Sequence, residues 1–228
     1  MARNTIIIDA DDTLWENNVV FEKSIAHFIA ELEYLGYTPD YVRHILNETE
    51  RRNIRQHGYG VRSFRRSLEE TYVKLAGSMA RREVVKEIEK MAGELENTPP
   101  QILEGVPETL AYLSKRHRLI LLAKGEAAEQ AGKVERSGLQ PYFDAIEIVM
   151  DKDIAVFKRL VDEFKIVKSQ GWMVGNSPAT DINPALQAGL NAVFIPHAST
   201  WAVDKDEIEC GIGKLVILAA FRDLRAHF

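Results

Sequence analysis

The sequence is poor in cysteine, lacks long apolar runs and carries little excess charge. Cys210 is the single cysteine among 228 residues, so no internal disulfide can form, and we expect a reducing, cytoplasmic environment. No apolar run approaches the ~20 residues of a membrane span, and the N-terminus lacks the layout of a signal peptide. The formal net charge of −5 argues against nucleic acid as the main partner.

What remains is the composition of a globular protein. Hydrophobic residues make up 46% of the chain and charged residues 28%, which excludes a disordered chain, a collagen-like fibre and a disulfide scaffold. The length suits one domain, or a core domain that carries a smaller insertion.

Short aliphatic runs alternate with amphipathic segments over most of the chain. The runs are residues 6–8, 118–122, 145–150, 171–174 and 192–195. Most lack the alternation of a half-exposed strand, which predicts strands that are buried on both faces. Because helical segments separate these runs, we predict an α/β fold, a Rossmann-like doubly wound parallel sheet with right-handed crossovers.

Residues 16–103 break this alternation and are predicted to be wholly helical. Four helices are expected, at residues 20–35, 39–56, 63–76 and 81–95. Glycines separate them, and short polar residues or prolines lie near both ends of the segment. We therefore predict an α/β core of residues 1–15 and 104–228, with a helical domain of residues 16–103 inserted into it.

The first predicted strand ends in a group of acids. Asp9, Asp11 and Asp12 follow the isoleucines of residues 6–8, and ligands of open parallel sheets bind at the carboxyl ends of strands. Three acids after a buried strand are costly unless a cation compensates them. An acidic helix cap is the structural alternative, but a cap needs only one acid.

The Asp-x-Asp-x-Thr-Leu spacing resembles the first signature motif of the haloacid dehalogenase superfamily. The resemblance implies that Asp9 is a nucleophile that forms an aspartyl-phosphate and that Asp11 is the general acid/base. It also implies a Mg²⁺ ion held by both aspartates, with Thr13 in the phosphate-binding loop, and a helical cap of the C1 type over the core. Mg²⁺ prefers oxygen ligands, and it reduces the repulsion between a carboxylate and a phosphate.

A second motif is expected at the end of the next strand. There the chain reads Ala123-Lys124-Gly125-Glu126, where a relative would typically read Thr-Lys-Gly-Asp. We assign Ala123, Lys124 and Gly125 to phosphate binding, through backbone N–H groups. The hydroxyl is missing, and the loss of one preorganised donor typically lowers the rate by ~10²–10³.

The third and fourth motifs follow later strands. Lys152 fits the lysine that neutralises the nucleophile and the phosphoryl group, with Lys158 as the alternative. Asp181 fits the outer acid of the metal site, while Asn176 stands where the family has an inner acid. An amide oxygen can still ligate Mg²⁺, but it brings less charge and predicts weaker binding.

The motif set predicts a Mg²⁺-dependent phosphomonoester hydrolase that acts on a small phosphorylated metabolite. Dehalogenases of this superfamily lack the second aspartate, so Asp11 favours phosphate chemistry. A sugar-phosphate mutase is one alternative. Another is a weakened or inactive relative that binds phospho-ligands or a protein partner, which the departures at Ala123 and Asn176 support. The protein is expected to be a monomer or a homodimer.

The inserted segment is expected to determine substrate specificity. Residues 51–66 contain six arginines, which either bind an anionic substrate group or pair with nearby glutamates on helix surfaces. Tyr59, between two glycines, and Arg62 are predicted substrate contacts. A supporting or structural role is predicted for His197, and a packing role for Trp15 and Trp201.

Overall fold

The structure is a computed structural model that describes residues 3–199, 206–209 and 211–228. Cys210 and the predicted packing residue Trp201 lie outside the described residues. The chain divides into two compact units, one of Met1–Asn18 with Pro100–Phe228 and one of Val19–Pro99.

The strands all belong to the first unit. They are β1 (Thr5–Asp9), β2 (Trp15–Glu16), β3 (Gln101–Ile102), β4 (Arg118–Lys124), β5 (Ala145–Val149), β6 (Gly171–Gly175), β7 (Asn191–Phe194) and β8 (Leu215–Ile217). Within the described residues, six of them form a parallel sheet in the order β5-β4-β1-β6-β7-β8. The strand that ends in Asp9 is therefore flanked on both sides.

Helices complete both units. They are α1 (Asn18–Glu31), α2 (Pro39–His57), α3 (Val61–Ala76), α4 (Arg82–Asn97), α5 (Val106–Ser114), α6 (Ala127–Ser137), α7 (Ile154–Glu163), α8 (Asn183–Gln187) and α9 (Leu224–His227). None of these helices combines the length and the apolar character that crossing a membrane requires.

The sheet is covered by apolar side chains on both faces. Ile6 and Ile8 of β1 belong to one buried cluster with residues of α5, α6 and α9. Ile7 belongs to another with residues of α7 and α8. Each buried isoleucine contributes ~1.5–3 kcal/mol through its burial. The predicted Rossmann-like, doubly wound α/β fold is confirmed.

The boundary between the units differs from the predicted one. Strands β2 and β3 pair with each other in an antiparallel ladder, so residues 16–18 and 100–103 belong to the first unit. Strands of two residues are too short to show a periodic pattern, so the sequence pattern places these residues in the helical insertion.

The second unit has its own core, to which α1 to α4 all contribute. Phe28, Leu46, Leu68, Tyr72 and Ile88 are all fully buried in it. The signals that predicted these helices act locally. Pro39 starts α2 after the cap of Thr38, whose side chain accepts a hydrogen bond from the Tyr41 N–H, as caps of this kind do.

Glu50 of α2 is a half-buried carboxylate whose charged form is disfavoured by burial. Burial is the largest effect and raises its pKa to about 7, with Arg43 and Arg51 opposing it and Glu22 adding to it. An unfolded glutamate ionises near pH 4.5, so the native chain loses stability between pH 4.5 and 7 relative to a neutral side chain. We expect Glu50→Gln to leave stability unchanged at pH 4 and to raise it by about 1–2 kcal/mol at pH 8, a value reduced for partial solvent screening.

Urea unfolding of both proteins at the two pH values measures this effect. Glu89→Gln, at an exposed position of α4, is the matched control and is expected to change stability little at either pH. Equal stability of the native and Glu50→Gln proteins at pH 8 would contradict the prediction.

Candidate active site

Four predicted site residues come together at the carboxyl edge of the sheet. Asp9 ends β1, Lys152 follows β5, and Asn176 follows β6. Asp181 lies in the π-helical turn Pro178–Ile182 that precedes α8. All four are buried, because parallel strands bring their carboxyl ends to one edge, where the connecting segments cover them.

Lys152 links two carboxylates. Its Nζ donates hydrogen bonds to Oδ1 of Asp9 and to Oδ1 of Asp181, the second at 2.8 Å. Burial on its own lowers the pKa of Lys152, but the charges of Asp181 and Asp9 outweigh burial and raise it above its usual value. Lys152 is therefore a permanent cation. The alternative candidate, Lys158, is exposed on α7.

One ammonium group does not balance the two carboxylates. Burial, followed by the charge of Asp181, raises the pKa of Asp9 to about 7 in spite of Lys152. The group of Asp9, Asp181 and Lys152 carries an excess negative charge when all three are ionised, and such a group favours a further cation.

Thr13 supports the Asp9 side chain. Its Oγ1 donates a hydrogen bond to Oδ2 of Asp9 at 2.9 Å and lies 3.2 Å from Oδ1 of Asn176. The loop places it there because the N–H of Leu14 bonds the Ala10 carbonyl at 2.8 Å, closing one helical turn after β1. Thr13 thus connects the end of β1 to the end of β6.

The Asp11 carboxylate has a separate set of partners. Trp15 Nε1 donates to Oδ1 at 2.7 Å, Gln130 Nε2 donates to Oδ2 at 3.0 Å, and Lys133 Nζ lies 3.2 Å from both oxygens. Burial raises the pKa of Asp11, but Lys133 and these hydrogen bonds together lower it below its usual value. Gln130 and Lys133 are not among the site residues predicted from the sequence, because their only signal is a spacing of three on the helix after β4.

Asp12 and His197 lie near the N-terminal end of α1. Asp12 adopts a left-handed backbone (φ 59°) and accepts hydrogen bonds from the N–H groups of Asn17 and Asn18. His197 Nε2 lies 3.3 Å from a Glu16 carboxylate oxygen, and its Nδ1 lies 3.8 Å from Asp12. The supporting role of His197 stays a prediction, while the Asp12 carboxylate satisfies two backbone N–H groups at the start of α1.

The segment after β4 offers no side-chain hydroxyl. Ala123 is fully buried within the apolar cluster that includes Ile8. The N–H of Gly125 donates to the Val149 carbonyl at 2.8 Å, so this predicted phosphate donor already has a partner. A Cβ on Gly125 (φ 145°) would lie 3.0 Å from Gln130 Nε2, which shows that the glycine makes room for Gln130.

The predicted substrate contacts belong to the helical unit. Tyr59 connects α2 to α3, and Arg62 is exposed in the first turn of α3. Two of the six arginines of residues 51–66 form ion pairs, Arg52 with Glu70 at 2.5 Å and Arg65 with Glu69 at 2.9 Å. Those two have the helix-surface role, while Tyr59 and Arg62 remain predicted contacts.

Gly175 is required by the position of Asp181. A Cβ at Gly175 would overlap the Asp181 carboxylate, whose Oδ2 accepts a hydrogen bond from the Ser177 N–H at 3.1 Å. We expect Gly175→Ala to displace Asp181, to destabilise the fold by about 1–3 kcal/mol as overpacking does, and to weaken any cation binding.

Urea unfolding and magnesium titration measure both effects. Gly93→Ala, where a Cβ meets nothing within 4 Å, is the matched control and is expected to be neutral or slightly stabilising. Unchanged stability and unchanged magnesium affinity in Gly175→Ala would contradict this account of the contact.

Curated relatives match part of the chain. N-acylneuraminate-9-phosphatase of Rattus norvegicus is 34% identical over 94 residues, 39% of this chain and 38% of the relative. The Homo sapiens protein of the same name is 31% identical over 96 residues, 40% and 39% of the two chains. The matched region thus spans about two fifths of the length of these relatives.

Solved structures match nearly the whole chain. A haloacid dehalogenase-like family hydrolase from Xanthomonas campestris has a TM-score of 0.85 and 28% identity, over 99% of this chain and 90% of that one. L-2-haloacid dehalogenase from Xanthobacter autotrophicus has a TM-score of 0.65 at 15% identity, over 99% and 98% of the two chains, and shows the fold alone.

The family model of haloacid dehalogenase-like hydrolases matches residues 6–195. That range includes β1 with Asp9, the helical unit, and the strand ends that carry Lys152, Asn176 and Asp181. The chain therefore belongs to the haloacid dehalogenase-like hydrolase family.

Proposed function

We propose that this chain is a Mg²⁺-dependent phosphomonoester hydrolase that acts on a small phosphorylated metabolite through Asp9. The observation that carries the proposal is the buried group of Asp9, Lys152 and Asp181 at the carboxyl edge of the sheet. A carboxylate nucleophile beside a fixed ammonium group and a second carboxylate suits attack on a charged phosphate. The curated relatives are themselves named as phosphatases, which agrees with this chemistry.

The residues at this edge fit a magnesium ion. Mg²⁺ prefers oxygen ligands, and side-chain oxygens are available from Asp9, Asp181 and Asn176. The two carboxylates and the Lys152 ammonium together carry a net charge of −1 when all three are ionised. Bound there, Mg²⁺ would offset the repulsion between the Asp9 carboxylate and a phosphate dianion. The Asp11 side chain faces Lys133 and Gln130 in this structure, so its part in the proposal is proton transfer.

The proposed reaction has two steps. In the first, an Asp9 oxygen attacks phosphorus, the bond to the leaving oxygen breaks, and Asp11 supplies a proton to that oxygen. In the second, Asp11 takes a proton from water, the water oxygen attacks phosphorus, and the bond to Asp9 breaks, which releases inorganic phosphate. Lys152 holds positive charge beside Asp9 throughout, and a phosphate dianion near Asp11 favours its protonated form before the first step.

Hydrolysis of p-nitrophenyl phosphate, with magnesium and with a chelator, tests the proposal. We expect turnover that depends on the metal. Phosphorylated sugar acids are the first physiological candidates to screen, given the name of the curated relatives. Hydrolysis of 2-chloropropionate without phosphatase activity would make the protein a dehalogenase, and a requirement for a bisphosphate would make it a mutase. Binding of phosphate esters without any turnover would support the non-catalytic alternative.

A further inference from the structure

Lys133 is a buried lysine on a helix, where lysines are normally exposed. The residue is only 9% exposed. Its Nζ lies 3.2 Å from both oxygens of Asp11, 2.8 Å from Oδ1 of Asn17 and 3.8 Å from a Glu129 carboxylate oxygen. Burying an ammonium group is costly unless a carboxylate pairs with it. The Asp11 carboxylate lies closer to this ammonium than the Glu129 carboxylate does.

Gln130 approaches the same carboxylate from one turn earlier on α6. It is 3% exposed, and its Nε2 donates to Oδ2 of Asp11 and to the Lys124 carbonyl, both at 3.0 Å. The bond to the main chain at the end of β4 fixes this amide, and Gly125 leaves the space it occupies. Lys133 and Gln130 of α6 therefore hold the Asp11 carboxylate, and neither of them hydrogen-bonds to Asp9.

We propose that Lys133, assisted by Gln130, is a positioning residue that fixes the Asp11 carboxylate for proton transfer to the leaving oxygen. The inference rests on the proposed function of Asp11 as general acid/base. A proton donor must lie within hydrogen-bond reach of its acceptor, and a displacement of about 1 Å can cost ~10²-fold in rate. With Lys133 removed, only Trp15 and Gln130 restrain the Asp11 side chain among the described residues.

The leaving group separates this role from a merely structural one. An alkoxide needs a proton as it departs, whereas p-nitrophenolate leaves without one, so an error in the position of Asp11 affects alkyl esters most. We expect Lys133→Met to lower the single-turnover rate of phosphoenzyme formation by about 10²-fold from glycerol phosphate and by less than about tenfold from p-nitrophenyl phosphate. Phosphoenzyme hydrolysis, which also uses Asp11, is common to both esters and is left out of the comparison. Lys115→Met, at an exposed position after α5, is the matched control and is expected to change neither rate.

Two further variants make the test specific. Gln130→Met is expected to show the same preference for the activated ester with a smaller loss, and it serves if Lys133→Met folds poorly. In an Asp11→Asn background, Lys133→Met is expected to cause no additional loss on glycerol phosphate, because residues that act through one group are not additive. Equal losses on both esters, or an additional loss in the Asp11→Asn background, would overturn the proposal.

A measurement without metal or turnover tests the same contact. The Trp15 indole N–H donates to Asp11 Oδ1 at 2.7 Å, so its NMR signal, assigned with Trp15→Phe, reports where that carboxylate lies. We expect the signal to move in Lys133→Met and to stay in place in Lys115→Met. An unmoved signal would overturn the positioning role. If the native protein hydrolyses neither ester, the proposed function fails, while the indole signal still decides whether Lys133 fixes Asp11.

Discussion

Replacing Asp9 with asparagine is expected to lower phosphatase turnover on the order of 10⁴-fold or more, because an amide cannot form the phosphoenzyme. The substitution keeps the size of the side chain, so the fold is expected to survive. Steady-state hydrolysis of p-nitrophenyl phosphate measures the loss. Mass spectrometry of acid-quenched protein is expected to detect one added phosphoryl group on the native chain and none on the variant.

Asp162→Asn is the matched control for this experiment. Asp162 is exposed on α7, away from the strand ends, and its loss is expected to leave turnover unchanged. Activity of Asp9→Asn within tenfold of the native rate would show that Asp9 is not the nucleophile.

Lys152→Met is expected to have the second-largest effect, on activity and on stability together. It leaves the buried Asp9 and Asp181 carboxylates without their shared ammonium, and breaking a buried ion pair in this way costs about 3–5 kcal/mol. Activity is expected to fall about 10³-fold, as when other cations that stabilise phosphoryl transfer are lost. Magnesium is expected to stabilise the variant more than it stabilises the native protein, because a divalent cation meets the same two carboxylates.

Thermal unfolding with and without magnesium, together with the hydrolysis assay, measures these effects. Lys158→Met replaces the exposed lysine of α7 that the sequence offered as the alternative, and it is expected to be neutral. A larger loss in Lys158→Met than in Lys152→Met would reverse the assignment of the two lysines.

Most of the residues at the carboxyl edge of the sheet could be predicted from the sequence by one geometric rule. Asp9, Lys152 and Asn176 follow predicted strands, and parallel strands deliver whatever follows them to one edge of the sheet. The closeness of those residues could therefore be predicted from the sequence. The catalytic roles assigned to them came from the motif resemblance and stay predictions.

The rule does not extend to side chains that reach the edge from helices. Gln130 and Lys133 contact Asp11 because α6 packs on the sheet with one particular face, and the rotation of a helix depends on long-range packing. The pairing of β2 with β3 is likewise a tertiary contact between segments that are distant in the chain.

Patterns along the chain predict the alternation of strands and helices, the helical insertion and the order of chemical groups. These follow from local periodicity, from turn residues and from the direction of parallel strands. The pairing of those groups depends instead on the three-dimensional packing of the chain. In the folded chain Lys152 joins Asp9 to Asp181, Thr13 connects Asp9 to Asn176, and Asp11 contacts Lys133, Gln130 and Trp15. Ion pairs and hydrogen bonds form only between side chains that lie close together, and the packing of the whole core sets which side chains do so.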